Sequence, residues 1–306
     1  MENDHWTDET MRALFARVCN WGRWGKDDEL GTLNLITPAT RRAAAQLVSE
    51  GITVSLSRNF PTKPGPHNPY PAQHYMLIAG DECGCSNPDT SQDFIGIAFH
   101  GWASTHIDAL CHVFVDAQMF NGVPASEVRS TGARRNTVMA LRNGIVGRGV
   151  LLDMPRALGV KHIVPGRKIG VAELEAAEKA QGISVASGDI LLIRNGRDVE
   201  VEDDNADAGL AALHPEVLPW LHARQVAALG SDAVHDCRAK PNNTLWPAPI
   251  HTIGIVAMGL HLLDNLYLED VAQIALERRR WAFHLCIAPL RIEGGTGSPV
   301  NPIATF

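Results

Sequence analysis

Apolar positions recur along the chain in short blocks, some with the spacing of helices and some with that of strands. Residues 9–19 (ETMRALFARVC) put apolar side chains three and four apart, the period of a helix with one buried stripe. NWGRWGKDDELGTLNLIT follows, rich in Gly, Trp and charge, and reads as an ordered loop. Thr37-Pro38 offers an N-cap and a proline at the first helical position, so a helix is predicted through RRAAAQLVSE until Gly51 stops it. Residues 52–57 (ITVSLS) alternate as a strand does, and the five prolines of 59–73 predict a long loop. Strands are predicted at 75–79 (YMLIA) and 94–100 (FIGIAFH), the latter staying extended to Thr105.

Farther along, 149–154 (GVLLDM), 189–194 (DILLIR) and 226–230 (VAALG) are apolar runs of strand length, and 281–292 (WAFHLCIAPLRI) reads as a final strand. Helices are predicted at 172–182, from His214-Pro215 and at 268–280; residues 250–258 are apolar throughout, and 198–208 form an acidic, exposed loop. There is no internal repeat and no linker. Strands and helices without regular βαβ alternation predict one α/β domain over residues 1–306, with a mixed sheet or open barrel. A helix-and-loop extension occupies about residues 1–50.

Charge and composition narrow the function. The formal net charge is −7 with no basic block, which argues against a nucleic-acid partner. No run of 18 apolar residues predicts a membrane span, and the polar, acidic start resembles no secretory signal. The six cysteines form no C-x-x-C pair; Cys83-Gly-Cys85 reads as loop thiols, and the expectation is a reduced, cytoplasmic protein.

One stretch carries the chemistry. HGWASTHIDALCH holds His100, His106, Asp108 and His112 among small and apolar neighbours. Residues two apart share a strand face, so His106 and Asp108 point the same way. Asp108 and His112 meet if a helical turn begins after Asp108. Such a set suits Zn²⁺ or Mn²⁺; a hydrogen-bonded core cluster without metal is the other reading. His251 and Asp264, each flanked by apolar runs, offer a second set of groups that need partners once buried.

THIDALCHVF resembles the core of the metal-dependent cyclase superfamily, which includes bacterial kynurenine formamidase and isatin hydrolase and carries the motif H-x-G-T-H-x-D-x-P-x-H. WGRWGKDDELGTLNLIT resembles the opening of its longer subgroup. FNG, GRGVLLDM, GDILLIRNG and MGLHLLDNLYLEDV…APLRIEGGTGSPVNPIA extend the similarity over residues 20–304. The resemblance implies a swivelling β/β/α-type fold with a mixed, barrel-like sheet and flanking helices, assembled as a homo-oligomer (dimer or tetramer). It also implies Zn²⁺ or Mn²⁺ and hydrolysis of an amide, formamide, lactam or lactone bond in a small, aromatic substrate. By position, His106 and Asp108 match the second and third metal-binding residues, and His112 the fourth, a general base or second-metal ligand. His251 matches a later histidine near the metal, and Asp264 stands where the family has Glu. The family's first histidine falls on Trp102, its Gly on Ser104 and its Pro on Leu110. His100, two residues before Trp102, replaces the missing ligand if the strand shifts or bulges.

The expected chemistry is a metal-activated water attacking a carbonyl, with the metal on His106, Asp108, His100 and Asp264 and the proton taken by His112 or His251. The alternatives are a non-hydrolytic cyclase or dehydratase of aromatic polyketide type, and a catalytically silent binding protein, which Trp102 favours. Elsewhere, the Trp21–Trp24 loop reads as docked to the core, Cys111 as a small buried hydrophobe, and His235-Asp236 as a chance pair; His261 could share a helix face with Asp264.

Overall fold

The computed structural model describes residues 6–65, 67–82, 90–199, 210–236 and 246–306. Its centre is a curled, half-barrel sheet of nine strands: β1 (Thr53–Ser55), β2 (His106–Asp108), β3 (Ile145–Asp153), β4 (Ile190–Arg194), β5 (Ala228–Ser231), β6 (His261–Asp264), β7 (Ala282–Ile287), β8 (Gly297–Pro299) and β9 (Ile303–Thr305). The spatial order is β1-β9-β7-β3-β4-β5-β6-β2-β8. β3 to β6 run parallel, and every other pairing in this sheet is antiparallel. Helices that cross between the parallel strands pack on one face and the helix Glu269–Arg278 on the other, which is why GVLLDM and DILLIR read as unbroken apolar runs. Successive residues feed opposite cores: Val150 and Leu152 pack with Leu191 and Ile193 on one side, Leu151 with Ile190 and Leu192 on the other.

The helices that matter for the site start and stop for local reasons. α1 (Asp8–Val18) opens with a capping box between Thr7 and Thr10, and α2 (Pro38–Ala45) with one between Thr37 and Thr40. α2 ends well before Gly51, because the backbone N–H groups of Glu50 and Gly51 donate to the Phe306 carbonyl instead. The apolar run 250–258 becomes a short α-helix, Pro249–Ile253, and one π-helical turn, Gly254–Met258. The N-terminal loop satisfies carbonyls of that turn: Asn20 donates to Ala257 and Met258 (both 2.9 Å) and the Trp21 indole to Val256 (2.7 Å). The Gly-Trp loop is therefore docked on the core. Among the described residues no helix is long and apolar enough to cross a membrane.

Three strand expectations change. Residues 75–79 and 94–100 do form strands, over Gln73–Ile78 and Gln92–Gly96, but they pair with each other and leave the main sheet alone. Tyr75 stacks on Phe94 across this hairpin, and Tyr75, Met76, Leu77, Phe94 and Ile95 are all exposed. The extension to Thr105 is not a strand: Gly101 takes φ +126 and turns the chain before it enters the sheet at His106. The last strand stops at Ile287, short of Ile292, because Pro289 cannot donate to a ladder.

Candidate metal centre

The cluster lies at the β6-β2-β8 end of the sheet. Antiparallel pairing sets His106 opposite Asp264 and Ile107 opposite Leu263, so His106, Asp108 and Asp264 share the face away from Ile107. A turn follows β2, with His112 N–H donating to Ala109 O at 3.0 Å, and it swings His112 back toward Asp108. The loop bent at Gly101 delivers His100, and the first turn of Pro249–Ile253 delivers His251.

Six side chains thus meet. Asp108 Oδ1 lies 2.9 Å from His100 Nδ1, 3.5 Å from His106 Nε2 and 3.9 Å from His112 Nε2. Its Oδ2 lies 3.5 Å from His251 Nε2. Asp264 Oδ2 is 3.2 Å from His251 Nε2 and 4.0 Å from His106 Nε2. Donor atoms about 2.1 Å from one cation sit roughly 3.0–3.5 Å from each other, so the spacings of 2.9 to 3.5 Å fit the edges of a coordination polyhedron, while the 3.9 and 4.0 Å pairs are wider. Among the described residues, two overlapping sets converge tightly enough for a cation: His100, Asp108 and His112, and His106, Asp108 and Asp264. Both Asp108 oxygens and Asp264 Oδ1 are buried with no hydrogen-bond donor, which is costly for a carboxylate unless a cation fills the gap. His/carboxylate donors of this kind fit Zn²⁺ or Mn²⁺.

Surrounding groups aim the rings. A backbone carbonyl only accepts, so His106 Nδ1, 2.9 Å from Ser104 O, must donate and leave Nε2 for the centre. Thr296 Oγ1 holds His100 Nε2 at 3.0 Å, which turns Nδ1 toward Asp108. His261, which sequence left as a possible site residue, is instead a support: its Nδ1 donates to the Asp108 backbone carbonyl at 3.0 Å. His235 likewise gives Nε2 to Leu263 O at 3.3 Å, with Asp264 Oδ1 3.4 Å away. Asp236 accepts from His251 Nδ1 at 2.7 Å. Ser104, Thr296, His235 and Asp236 were not read as parts of the site, since serine, threonine and a lone His-Asp pair are common and their partners lie far along the chain.

The charges interlock. Burial alone would raise the Asp108 carboxyl, but His112, His100, His106 and His251 outweigh it and hold it below the usual carboxylate range. Asp264 is likewise lowered, burial being overcome chiefly by His251. Burial pushes His112 down to about 4 against the pull of Asp108, so its ring is neutral at pH 7. Burial also opposes the charge on His251, yet Asp264 and Asp236 raise it well above the ordinary histidine value. Cys111 is a core thiol, pushed up to about 12 by burial, and is no nucleophile.

Trp102 stands outside the cluster. Its ring packs against Leu210, Ala233 and Val234, and its carbonyl accepts from Arg197 at 2.6 Å. With His67, Tyr70, Phe99 and His100 it lines a cleft of about 220 Å³, so cleft and cluster share His100. A wider groove of about 470 Å³ at Cys19, Arg23 and His222 holds none of the clustered residues. Cys83, Cys85 and most of the acidic stretch 198–208 lie outside the described residues.

Comparison with known proteins agrees with this architecture. A family model described as "Putative cyclase" matches residues 37–235, well over half of the chain. A crystal structure described as a novel cyclase is 30% identical, with a TM-score of 0.85 over 94% of this chain and 100% of its own. The fold is shared with more distant structures. An isatin hydrolase bound to the product analogue thioisatinate is 18% identical, with a TM-score of 0.59 over 85% of this chain and 93% of its own. Isatin hydrolase A from Ralstonia solanacearum is 20% identical, with a TM-score of 0.58 over 88% of this chain and 97% of its own. No curated protein sequence matches this one. With the family model and the 30% identical cyclase in agreement, the chain belongs to the cyclase family.

Proposed function

We propose that this protein is a metal-dependent hydrolase that opens an amide, lactam or lactone bond of a small aromatic substrate, with Zn²⁺ or Mn²⁺ held by His100, His106, Asp108 and Asp264. The observation that carries the proposal is the pair of buried carboxylates, short of donors and ringed by imidazole nitrogens at coordination spacing. A cation bound there supplies a water of lowered pKa and an electrophile for the carbonyl oxygen. His112 is the base: it is neutral at pH 7 and can take a proton within the cluster. His251 is ill suited to that role, because Asp236 binds one ring nitrogen and Asp264 lies beside the other. Phe99 and Trp102 give the cleft aromatic walls on which a planar ring can stack.

The test is to load the protein with Zn²⁺ or Mn²⁺ and offer isatin, N-formylkynurenine and simple lactones. Products heavier by one water are expected by mass spectrometry. Turnover of none of them overturns the assignment, and a product lighter by one water points to cyclisation or dehydration instead.

We also propose that a second copy of the chain covers the exposed hairpin. Two strands alone are marginal in water, and this pair presents Tyr75, Met76, Leu77, Phe94 and Ile95 to solvent while His74 and Asp93 hydrogen-bond to each other at 3.0 Å. With Tyr70, 75% exposed, these side chains offer on the order of 600 Å² per chain, close to the ~800 Å² per partner of a standard interface. Light scattering is expected to give a dimer or larger assembly, and Leu77→Glu with Ile95→Glu a monomer. A monomeric wild-type protein at micromolar concentration would refute this.

A further inference from the structure

We propose that Asp236 is a positioning residue: it holds a proton on His251 Nδ1 and so aims Nε2 at the carboxylates of Asp108 and Asp264, where a cation would take the place of the Nε2 proton. The hydrogen bonding stands on its own; its consequence for cation binding rests on the metal-centre reading above.

One carboxylate collects three donors from the first turn of Pro249–Ile253. Asp236 Oδ1 accepts from Ile250 N–H at 2.9 Å, and Oδ2 accepts from His251 N–H at 3.0 Å and from His251 Nδ1 at 2.7 Å. An ionised carboxylate has no proton to give, so Nδ1, which faces Asp236, carries a proton. The two backbone bonds hold the carboxylate in place, and the ring bond then fixes the plane of the imidazole. Nε2 is left 3.2 Å from Asp264 Oδ2 and 3.5 Å from Asp108 Oδ2. A histidine that binds a cation or accepts a proton through one nitrogen is commonly oriented this way through the other.

The turn that places Asp236 is itself distinctive. His235 is 1% exposed and takes φ +57, a left-handed conformation that non-glycine residues seldom adopt. Packing holds it there: Leu213 N–H donates to its carbonyl at 2.9 Å, and its ring reaches Leu263 O. That turn sends the adjacent side chains to different places, His235 to β6 and Asp236 to the helix carrying His251. The two act separately and not as a dyad.

A purely structural role, capping the short helix, makes a different prediction. Asp236→Asn keeps an oxygen for the backbone donors, but its NH₂ can donate to the ring and push the ring proton to Nε2. The experiment uses ¹⁵N-histidine-labelled full-length protein, with long-range ¹H–¹⁵N spectra to read the ring proton and a chromophoric chelator to read Zn²⁺ affinity. Wild type is expected to show His251 protonated on Nδ1 with or without Zn²⁺. Asp236→Asn is expected to lose that signal and bind Zn²⁺ roughly 10- to 100-fold more weakly, and Asp236→Glu to recover part of both. Absence of the Nδ1 proton in wild type overturns the proposal with no variant needed, and so does an Asn variant with unchanged tautomer and affinity. If wild type takes up no Zn²⁺, the metal-centre reading fails, and the ring-proton signal of the metal-free protein alone decides the role of Asp236.

Discussion

Asp108→Asn is expected to abolish cation binding and turnover while leaving the fold in place. Asp108 is fully buried and is the one residue shared by both sets of candidate ligands. Its two oxygens face His100, His106 and His112 on one side and His251 on the other. Asparagine has nearly the same shape, so the buried position is still filled, but it removes the anionic donor that the imidazoles surround. It also turns an NH₂ toward nitrogens that must stay free to bind a metal. Only Asp264 is then left as a carboxylate in the cluster. Bound metal measured by mass spectrometry after chelation and reloading is expected to fall from about one per chain to under ~0.1. kcat/KM is expected to fall by ~10⁴ or more, because water reverts from a pKa near ~7 toward its bulk value. A superimposable far-UV CD spectrum shows that the fold survives. His100→Ala, which removes one donor of several, is expected to weaken binding by only roughly 10- to 100-fold. Full metal occupancy in Asp108→Asn would sink the ligand set.

The parts of the site legible in the sequence are those set by local geometry. The period of two puts His106 and Asp108 on one face, and a turn after Asp108 brings His112 round. The buried parallel strands were legible as apolar runs because both of their faces are covered. His100 was legible as a candidate only. Its actual path depends on the bend at Gly101 and on Asn265 Nδ2, which ties the Gly101 and Ser104 carbonyls at 2.7 and 3.1 Å. Strand propensity found the hairpin segments but not their pairing, since partner choice is a matter of distant contacts. Asp236 was set aside because its bond to His251 arises only where the turn after β5 meets a separate helix. The resemblance to a family supplied His251 and Asp264 as neighbours of the metal; no spacing rule joins them to residues 100–112.

Gly31→Ala is expected to cost about 4 kcal/mol, enough to lower the melting temperature by roughly 10 °C or to prevent folding. Gly31 has φ +58, and a Cβ there would lie 2.1 Å from Gly259 O, 2.8 Å from Gly259 C and 2.9 Å from Gly259 Cα. All three atoms are backbone and cannot rotate away. Gly259 cannot retreat either: it closes the π-helical turn at φ +69, and a Cβ on it would meet Phe120 at 2.6 Å. Its carbonyl also accepts from Thr32 N–H at 2.9 Å and Thr32 Oγ1 at 3.0 Å, bonds that any separation breaks. Gly259 lies one residue before Leu260 and two before β6, the strand that carries Asp264 into the cluster. A forced shift is therefore expected to loosen cation binding as well as stability. Gly22→Ala is the control. It has φ +75 but nothing within 4 Å of its would-be Cβ, so it carries the left-handed strain of about 1 kcal/mol without the clash. If thermal melts put the two variants within about 1 kcal/mol of each other, the close approach of Gly31 to Gly259 is not what holds the N-terminal loop to the sheet.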